Sequence, residues 1–325
     1  DQSSFDFSNQ RLNFSFSGVN QDGISGDYTA GVDGSSFNGA IPDEVPVYHS
    51  AGDGDWFANS TWEEDIPGGP KGAIAIVETG DSVYFSSNYL VGYKTVVEKD
   101  AVLDVGNTFG HRVGKMEGKG KLRLERGDLP AGIYEDFFGH EGGTVDFAGT
   151  NDYDVLSEVT HVNNLHFTGT GERRLPNLDF EVYGNFVIKG DDASLLVVNE
   201  HDNAITVDSN LVRNKGSFDA GSGSTARIIF GGSKTQRVQG DFTGSNALNN
   251  FTMDNPSGVH LDNTMEANGI HQSFTNGVLF TSSANKLRLT NSSYNEVSFN
   301  SGSFVDGPMQ KYVGSGDKFE FPVGE

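Results

Sequence analysis

Cysteine is absent from the 325 residues, so disulfide scaffolds, thiol nucleophiles and cysteine-ligated metal sites are excluded. No apolar run approaches the roughly 18 residues of a membrane span, and we expect no membrane insertion. Basic residues are scarce: 22 Lys and Arg stand against 45 Asp and Glu, which gives a formal net charge of −23. Because binding to nucleic-acid phosphates needs clustered cations, nucleic acid is not expected as a partner.

The composition that remains is typical of an all-β protein with many turns. Hydrophobic residues make up only 35% of the chain, yet aromatic residues reach 11%, with 24 Phe, so the sequence is not that of a disordered segment. Glycine is abundant, at 43 residues, and occurs with Asn, Ser and Asp between short apolar runs. Such residues favour turns, and short apolar runs between turns indicate strands.

Apolar and polar residues alternate with a period of two along most of the chain. Leu122 and Leu124 alternate with charged residues, Leu287 and Leu289 do the same, and one apolar face extends from Phe180 to Ile188. Each run ends within a few residues at Gly, Asn, Asp or Pro. We therefore predict strands that bury one face, and no helix of ten or more residues.

Internal similarity indicates a solenoid. Residues 144–188 resemble residues 227–270 at an offset of about 85 residues, but further on the offset falls to about 61. The first copy thus holds about 24 extra residues, roughly 192–215, which we interpret as one whole coil. The sequence predicts a right-handed parallel β-helix over residues 73–313, with about ten coils of about 23 residues and a length of roughly 50 Å. A β-sandwich array is the alternative.

The domain boundaries follow from where the pattern changes. Residues 1–48 alternate weakly and are expected to form an N-terminal β cap or the end of a preceding β module. Residues 49–72 contain both tryptophans and form a cap or linker, residues 73–313 form the β-helix, and residues 314–325 form a linker or the start of another module. We expect the chain to be a fragment of a longer protein, because its first residues lack the features of a signal peptide.

The two tryptophans have two interpretations. Trp56 and Trp62 either cover the open end of the solenoid, whose strand edges would otherwise be exposed, or form a platform on which a sugar stacks. The cap is the favoured interpretation, and carbohydrate contact at Trp56 and Trp62 is the alternative that predicts a binding site.

Calcium is the most plausible ion, although no cofactor is required by any motif. Weak candidates for its ligands are the loop carboxylates of Asp22, Asp27, Asp53 and Asp55. No EF-hand spacing is present, and the eight histidines are scattered, so no other metal site is predicted.

A carboxylate pair near a basic cluster keeps an enzyme in consideration. Asp179 and Glu181 share one strand face, and Arg173, Arg174 and Lys189 are near in sequence. Glycoside hydrolysis needs two carboxyl groups, and a lyase needs a base near acidic groups. A solvated strand face explains the same residues more simply.

Several short motifs resemble those of large cell-surface proteins of Flavobacterium-like Bacteroidota, which are adhesin-like or gliding-related repeat β-helix proteins. The motifs cover about residues 40–325, are Gly-rich and structural, and include Tyr48–Trp56, Ser60–Trp62, Asp81–Val83, Gly118–Leu124, Leu129–Gly132, Gly142–Phe147, Gly302–Pro308 and Phe321–Gly324. The resemblance implies export across the outer membrane by the type IX secretion system, with the translocon as a transient partner. It also implies a secreted or cell-surface location, and it supplies no catalytic residues.

From these features we expect a non-catalytic structural or adhesive module, with neighbouring domains and extracellular polysaccharide as partners. The alternative is a polysaccharide lyase or glycosidase on the same fold. Asp81-Ser82-Val83 also fits the pattern that Bacteroidota O-glycosylate, so Ser82 is a candidate glycosylation site.

Overall fold

The structure is a computed structural model that describes residues 2–6, 11–15, 45–64, 66–292, 296–314 and 318–324. The chain divides into two compact units, Asp1–Val45 and Pro46–Glu325. In the first unit, strands β1 (Gln2–Asp6) and β2 (Arg11–Ser15) pair as an antiparallel hairpin.

The second unit is built from short strands. Its first elements are β3 (Val47–His49), β4 (Gly54–Asp55), β5 (Ile74–Val77), β6 (Ser82–Tyr84), β7 (Lys94–Val97), β8 (Val102–Gly106), β9 (Arg112–Gly118), β10 (Lys121–Leu124), β11 (Ala131–Ile133), the helix α1 (Glu135–Phe138) and β12 (Thr144–Phe147). The middle strands are β13 (Tyr153–Asp154), β14 (His161–Val162), β15 (Asn164–Arg174), β16 (Phe180–Val182), β17 (Phe186–Val198), β18 (Ala204–Val207), β19 (Leu211–Arg213), β20 (Ser217–Asp219), β21 (Arg227–Phe230) and β22 (Gln236–Gln239). The last are β23 (Asn250–Asp254), β24 (Val259–Leu261), β25 (Met265–Ala267), β26 (His271–Asn276), β27 (Val278–Phe280), β28 (Leu287–Leu289), β29 (Glu296–Phe299), β30 (Phe304–Asp306) and β31 (Met309–Lys311).

These strands form a parallel β-helix of about 11 turns. One sheet, here the long face, runs through the unit in the order β4-β6-β8-β10-β12-β15-β17-β19-β22-β24-β27-β30. The second face consists of the sheets β3-β5-β7-β9-β11 and β14-β16-β18-β21-β23-β26-β29. Toward the end of the chain a third sheet, β25-β28-β31, completes the coils. In the described part of this unit, every ladder between named strands is parallel, which confirms the predicted solenoid and rules out the β-sandwich array.

The alternation in the sequence accounts for the core. In β10, Leu122 and Leu124 are buried while their neighbours are partly exposed, and the same pattern recurs in most strands. Since equivalent strands lie about 4.8 Å apart, inward residues of successive coils stack. The largest stacks are aromatic, and their ring centroids are 5.5 to 6.4 Å apart: Phe147, Phe167, Phe186 and Phe218 in one, and Phe230, Phe251 and Phe274 in the other.

An asparagine ladder fixes the corner between the second face and the long face. Asn164 Oδ1 accepts hydrogen bonds from the main-chain N–H and the side-chain amide of Asn185, at 2.9 and 3.3 Å. Asn185 Oδ1 accepts the equivalent pair from Asn210, and Asn210 Oδ1 accepts from the N–H of Arg237. The ladder satisfies main-chain donors that a sharp corner leaves unpaired, so each coil is locked in register with the next.

Two details differ from the sequence expectations. The solenoid begins earlier than residue 73, because β3 and β4 already pair in parallel with β5 and β6. Residues 46–72 are therefore the first coil and not a separate linker. The short helix α1 was not expected. None of the helices in the described parts of the chain has the length and apolarity needed to cross a membrane.

The proposed internal repeat is out of phase with the coils. Phe147 lies on β12 of the long face, whereas its supposed equivalent Phe230 lies on β21 of the second face. The similarity between residues 144–188 and 227–270 therefore arises from a shared composition of strands and turns, and not from duplication of a set of coils. The extra segment 192–215 does correspond to one turn, because the N–H of Gly216 donates to the carbonyl of Asp192 at 3.0 Å.

Candidate functional site

The tryptophans lie inside the first coil. Trp56 is 0% and Trp62 is 2% exposed, and their rings meet edge to face at 4.9 Å between centroids. Trp62 Nε1 donates to the carbonyl of Trp56 at 2.8 Å, and Trp56 also packs against Phe85. Because neither ring face reaches solvent, the alternative of carbohydrate contact at Trp56 and Trp62 is wrong, and these side chains are part of the hydrophobic core.

Two of the four predicted calcium ligands, Asp53 and Asp55, accept hydrogen bonds within the protein. Asp53 Oδ1 accepts the N–H of Ser82 at 2.7 Å, and Asp55 Oδ2 accepts the hydroxyl of Ser86 at 2.5 Å. These carboxylates thus tie the first coil to the second. Asp22 and Asp27 lie outside the described residues. In the described part of the chain, no group of three or more His, Asp or Glu is arranged to hold a metal ion, and calcium binding stays a prediction.

Ser82 is the first residue of β6 and is exposed. Its main-chain N–H is engaged by Asp53, whereas its side chain faces outward. The position is sterically open to a modifying enzyme, and O-glycosylation of Ser82 stays a prediction.

The cluster between Arg173 and Asp192 is dispersed by the fold. Arg173 is buried in the core, where it donates to main-chain carbonyls, and Arg174 pairs with Asp154 at 2.7 Å. Glu181 lies on β16 of the second face, whereas Lys189 lies on β17 of the long face. The arrangement that motivated a lyase or glycosidase is therefore not assembled.

The acidic residues at either end of that cluster have structural partners. The carboxylate of Asp179 accepts the N–H of Ala204 at 2.7 Å. Asp192 Oδ1 accepts both the N–H and the hydroxyl of Ser194, and these bonds lower the pKa of Asp192. Lys215 Nζ donates to the carbonyl of Asp191. These residues shape turns between coils.

Two exposed aromatic rings form a different candidate site, here called the aromatic corner (Tyr89 and Phe109). Tyr89 is 69% and Phe109 is 45% exposed, and the rings meet edge to face at 5.3 Å between centroids. Tyr89 lies in the loop before β7, and Phe109 lies in the turn after β8. Exposed aromatic rings are costly to leave in water, so a pair held together on a surface points to a ligand.

The main chain holds the aromatic corner in a strained conformation. Tyr89 has φ of 66°, a left-handed conformation that a bulky residue rarely adopts. The N–H of Tyr89 donates to the carbonyl of Phe109 at 3.0 Å, and the N–H of Phe109 donates to Asn88 Oδ1 at 2.9 Å. A Cβ atom at Gly110 would lie 2.5 Å from the Tyr89 ring, so a larger residue at position 110 would displace the ring. Strain of this kind is often found at ligand sites.

A cavity of about 250 Å³ adjoins Phe109. Its lining includes Thr108, His111, Arg126 and Asp128. The Arg126 guanidinium lies 5.9 Å from the Phe109 ring centroid and pairs with Asp128 at 2.7 Å. The corner thus combines ring faces with a cation, an anion and hydroxyl groups, which are the groups that bind the apolar and polar sides of a sugar.

His111 supports this corner from inside. It is buried, its Nδ1 accepts the N–H of Leu90 at 3.2 Å, and its Nε2 lies 2.9 Å from the Thr108 hydroxyl. Burial, and then the charge of Arg126, lowers the pKa of His111 from 6.5 to about 4. The imidazole is therefore neutral at pH 7, with Nδ1 as the acceptor.

We expect the free energy of unfolding to fall as the pH is lowered from about 6.5 to 4. The unfolded chain binds a proton at His111 in this range while the folded chain does not, so acid favours unfolding. Urea unfolding at several pH values measures the slope. In His111→Asn, whose amide oxygen can still accept from Leu90, the slope should be smaller. Burial also lowers the pKa of His166 to about 4, so His166 contributes the same slope in both proteins. The difference between the two slopes therefore reports His111, and an unchanged slope would contradict a neutral His111.

Sequence reasoning missed Tyr89 and Phe109, because it sought binding residues among the tryptophans. The available signal was their position outside the alternating runs, where no buried strand face explains an aromatic residue. Comparison of the chain with protein-family models, curated proteins and solved structures found no match. The candidate site therefore rests on geometry alone.

Proposed function

We propose that the chain is a non-catalytic structural and adhesive module of a large secreted cell-surface protein, and that it binds extracellular polysaccharide at the aromatic corner. The observation that carries the proposal is the Tyr89 ring, exposed and held in a left-handed backbone conformation above Gly110. Left-handed backbone also occurs at other turns of this solenoid, such as Asp100 and Lys215, so what sets Tyr89 apart is a large ring that is left exposed beside a second exposed ring.

A polysaccharide suits the corner better than a protein partner does. The two rings offer small, separate faces beside a cavity whose lining combines apolar residues such as Leu129 and Pro130 with the charged groups of Arg126 and Asp128. Sugar rings present an apolar face and a rim of hydroxyls, which match the aromatic faces and the charged groups of Arg126 and Asp128. The stacked coils supply a stiff support for such a contact.

Export by the type IX secretion system and a location at the cell surface belong to the same proposal. They are supported by the resemblance of the turn motifs and by the acidity of the chain, which has a net charge of −23. The translocon would then be a partner only during export, and neighbouring domains of a longer chain would be permanent partners.

Tyr89→Ala should weaken polysaccharide binding at least about tenfold, equivalent to about 1.4 kcal/mol, because one ring of the stacking pair is lost. Affinity gel electrophoresis against a panel of plant, algal and bacterial polysaccharides measures the effect. Tyr312→Ala is the matched control, since Tyr312 is 56% exposed but lies far along the chain, after β31. Equal retardation of Tyr89→Ala and the unchanged protein would refute the aromatic corner as the binding site.

A further inference from the structure

A second surface site lies where the second face turns into the long face. The turns that follow β14, β16, β18 and β21 stack along the solenoid and enclose a cavity of about 380 Å³, here called the corner groove. It is lined by residues of four successive turns and of the loop after α1, among them His140, Asn163, Tyr183, Asp208, Ser209 and Lys234.

Aromatic rings form one wall of the corner groove. His140 stacks on Tyr183 with ring centroids 3.9 Å apart and planes inclined by 24°. His161 lies on the same side, 5.3 Å from the Tyr183 centroid. Burial, and then the negative charges of Glu181 and Asp208, raises the pKa of Tyr183, so the phenol is neutral. The wall is thus a stacked aromatic pair beside the carboxylate of Asp208.

Asp208 is a half-buried acid that lines the corner groove. In the described part of the chain, its carboxylate forms no ion pair with a Lys or Arg and accepts no hydrogen bond from a side chain. Burial first, and the charge of Glu181 second, raises the pKa of Asp208, whereas the positive charge of His140 acts in the opposite direction. A partly desolvated carboxylate beside a second one is destabilised unless a cation joins it.

The other charges of the groove lie among its exposed lining residues. Lys234 and Glu141 are both exposed, and Glu141 is 3.4 Å from Lys119 Nζ. Most of the lining is otherwise polar or glycine, including Asn163, Ser209 and Ser233. A peptide would find no aliphatic pocket in such a lining, whereas the hydroxyls of a sugar would find donors and acceptors.

We infer that the corner groove binds an amino sugar, with its ammonium group at Asp208 and its ring beside the stacked pair of His140 and Tyr183. The ammonium supplies the Asp208 carboxylate with the ion-pair partner that no Lys or Arg of the described residues provides, and the electron-rich Tyr183 ring beside it strengthens the attraction to a cation. This site lies on different residues from the aromatic corner, so the two can be tested separately.

The test compares two probes that differ only at their amino groups: a β-1,4-linked glucosamine hexamer, and the same hexamer in which N-acetylation replaces each ammonium by an uncharged acetamide. Isothermal titration at pH 7 should show the glucosamine hexamer binding at least about tenfold more tightly. Asp208→Asn should remove most of that preference. Asp254→Asn is the matched control, because Asp254 lies on β23 of the same sheet, where its carboxylate already accepts from Asn276.

Three results would overturn the inference. Equal binding of both hexamers would show that charge plays no part, and retention of the preference in Asp208→Asn would place the cation elsewhere. Tighter binding of an oligolysine of the same charge would show a peptide site. Tyr89→Ala should leave glucosamine binding unchanged, so failure here and failure at the aromatic corner are distinguishable.

Discussion

Deletion of residues 192–215 is expected to yield a folded protein that is one coil shorter. The N–H of Gly216 already donates to the carbonyl of Asp192, so residues 191 and 216 can be joined with little movement of the chain. Each coil pairs only with its neighbours, and removal of a whole coil restores the same kind of pairing. The rod should shorten by about 4.8 Å, one strand spacing.

The inward positions remain apolar after this deletion. After the deletion, each inward residue of the next coil takes the position of the residue with which it is in parallel register. The three replacements are Val197 by Phe218, Ile205 by Ile228 and Leu211 by Val238. The exchange of Val for Phe overfills one layer, which costs about 1–3 kcal/mol. We therefore expect a lower melting temperature but a single cooperative transition.

A half-coil deletion is the control. Removal of residues 204–215 takes away β18 and β19 but leaves the start of the same coil, so the strands that follow no longer meet their partners. Circular dichroism and small-angle X-ray scattering should show a folded, shorter protein for the 192–215 deletion and loss of structure for the half-coil deletion. If both deletion proteins unfold, a whole coil cannot be removed without loss of the fold, which contradicts the prediction. If both stay folded, the coil is not the unit of the structure, which also contradicts it.

Replacement of Arg173 by Ala is expected to lower the free energy of unfolding by about 3–5 kcal/mol. Arg173 is fully buried, and its guanidinium lies 4.2 Å from the Tyr153 ring centroid. Its Nη atoms donate, at 2.6 to 3.0 Å, to the carbonyls of Ala148, Gly149, Asn151 and Thr170. Burial lowers the pKa of Arg173, yet an arginine stays charged. The negative ends of these carbonyl dipoles therefore stabilise the buried positive charge.

The loss leaves both a cavity and main-chain carbonyls without donors. Arg173→Lys should recover only part of the stability, because an ammonium has fewer donors and cannot reach carbonyls on several turns at once. Arg174→Ala is the control, since Arg174 is partly exposed and pairs with Asp154 and Glu172; its loss should cost less than about 1 kcal/mol. Urea unfolding compares the three variants, and similar values for Arg173→Ala and Arg174→Ala would contradict the account.

The fold was predictable because apolar and polar residues alternate within each single strand. Leu122 and Leu124 are buried as their pattern indicates, and a coil can be recognised by its length alone. The positions of the corners between strands could not be predicted, because the alternation of buried and exposed residues continues through the turns. Phe180, Val182, Phe186 and Ile188 are all buried, although a corner separates β16 from β17. The same continuity put the internal repeat out of phase.

The candidate sites were less predictable than the fold. Whether Trp56 faces solvent depends on the coil above it, which no local pattern reports. Residues of the corner groove, such as His140 and Tyr183, are far apart in sequence and meet only because consecutive turns stack. Arg173 and Arg174 are neighbours, yet one is in the core and the other on the surface, as strand alternation requires.

The most direct test of the central claim is a polysaccharide panel in which binding and cleavage are measured on the same samples. Gel retardation reports binding, and new reducing ends or unsaturated products report cleavage. We expect retardation by at least one polysaccharide, loss of that retardation in Tyr89→Ala, and no new products. Cleavage would contradict a non-catalytic module, and retardation that persists in Tyr89→Ala would contradict the aromatic corner as its adhesive site.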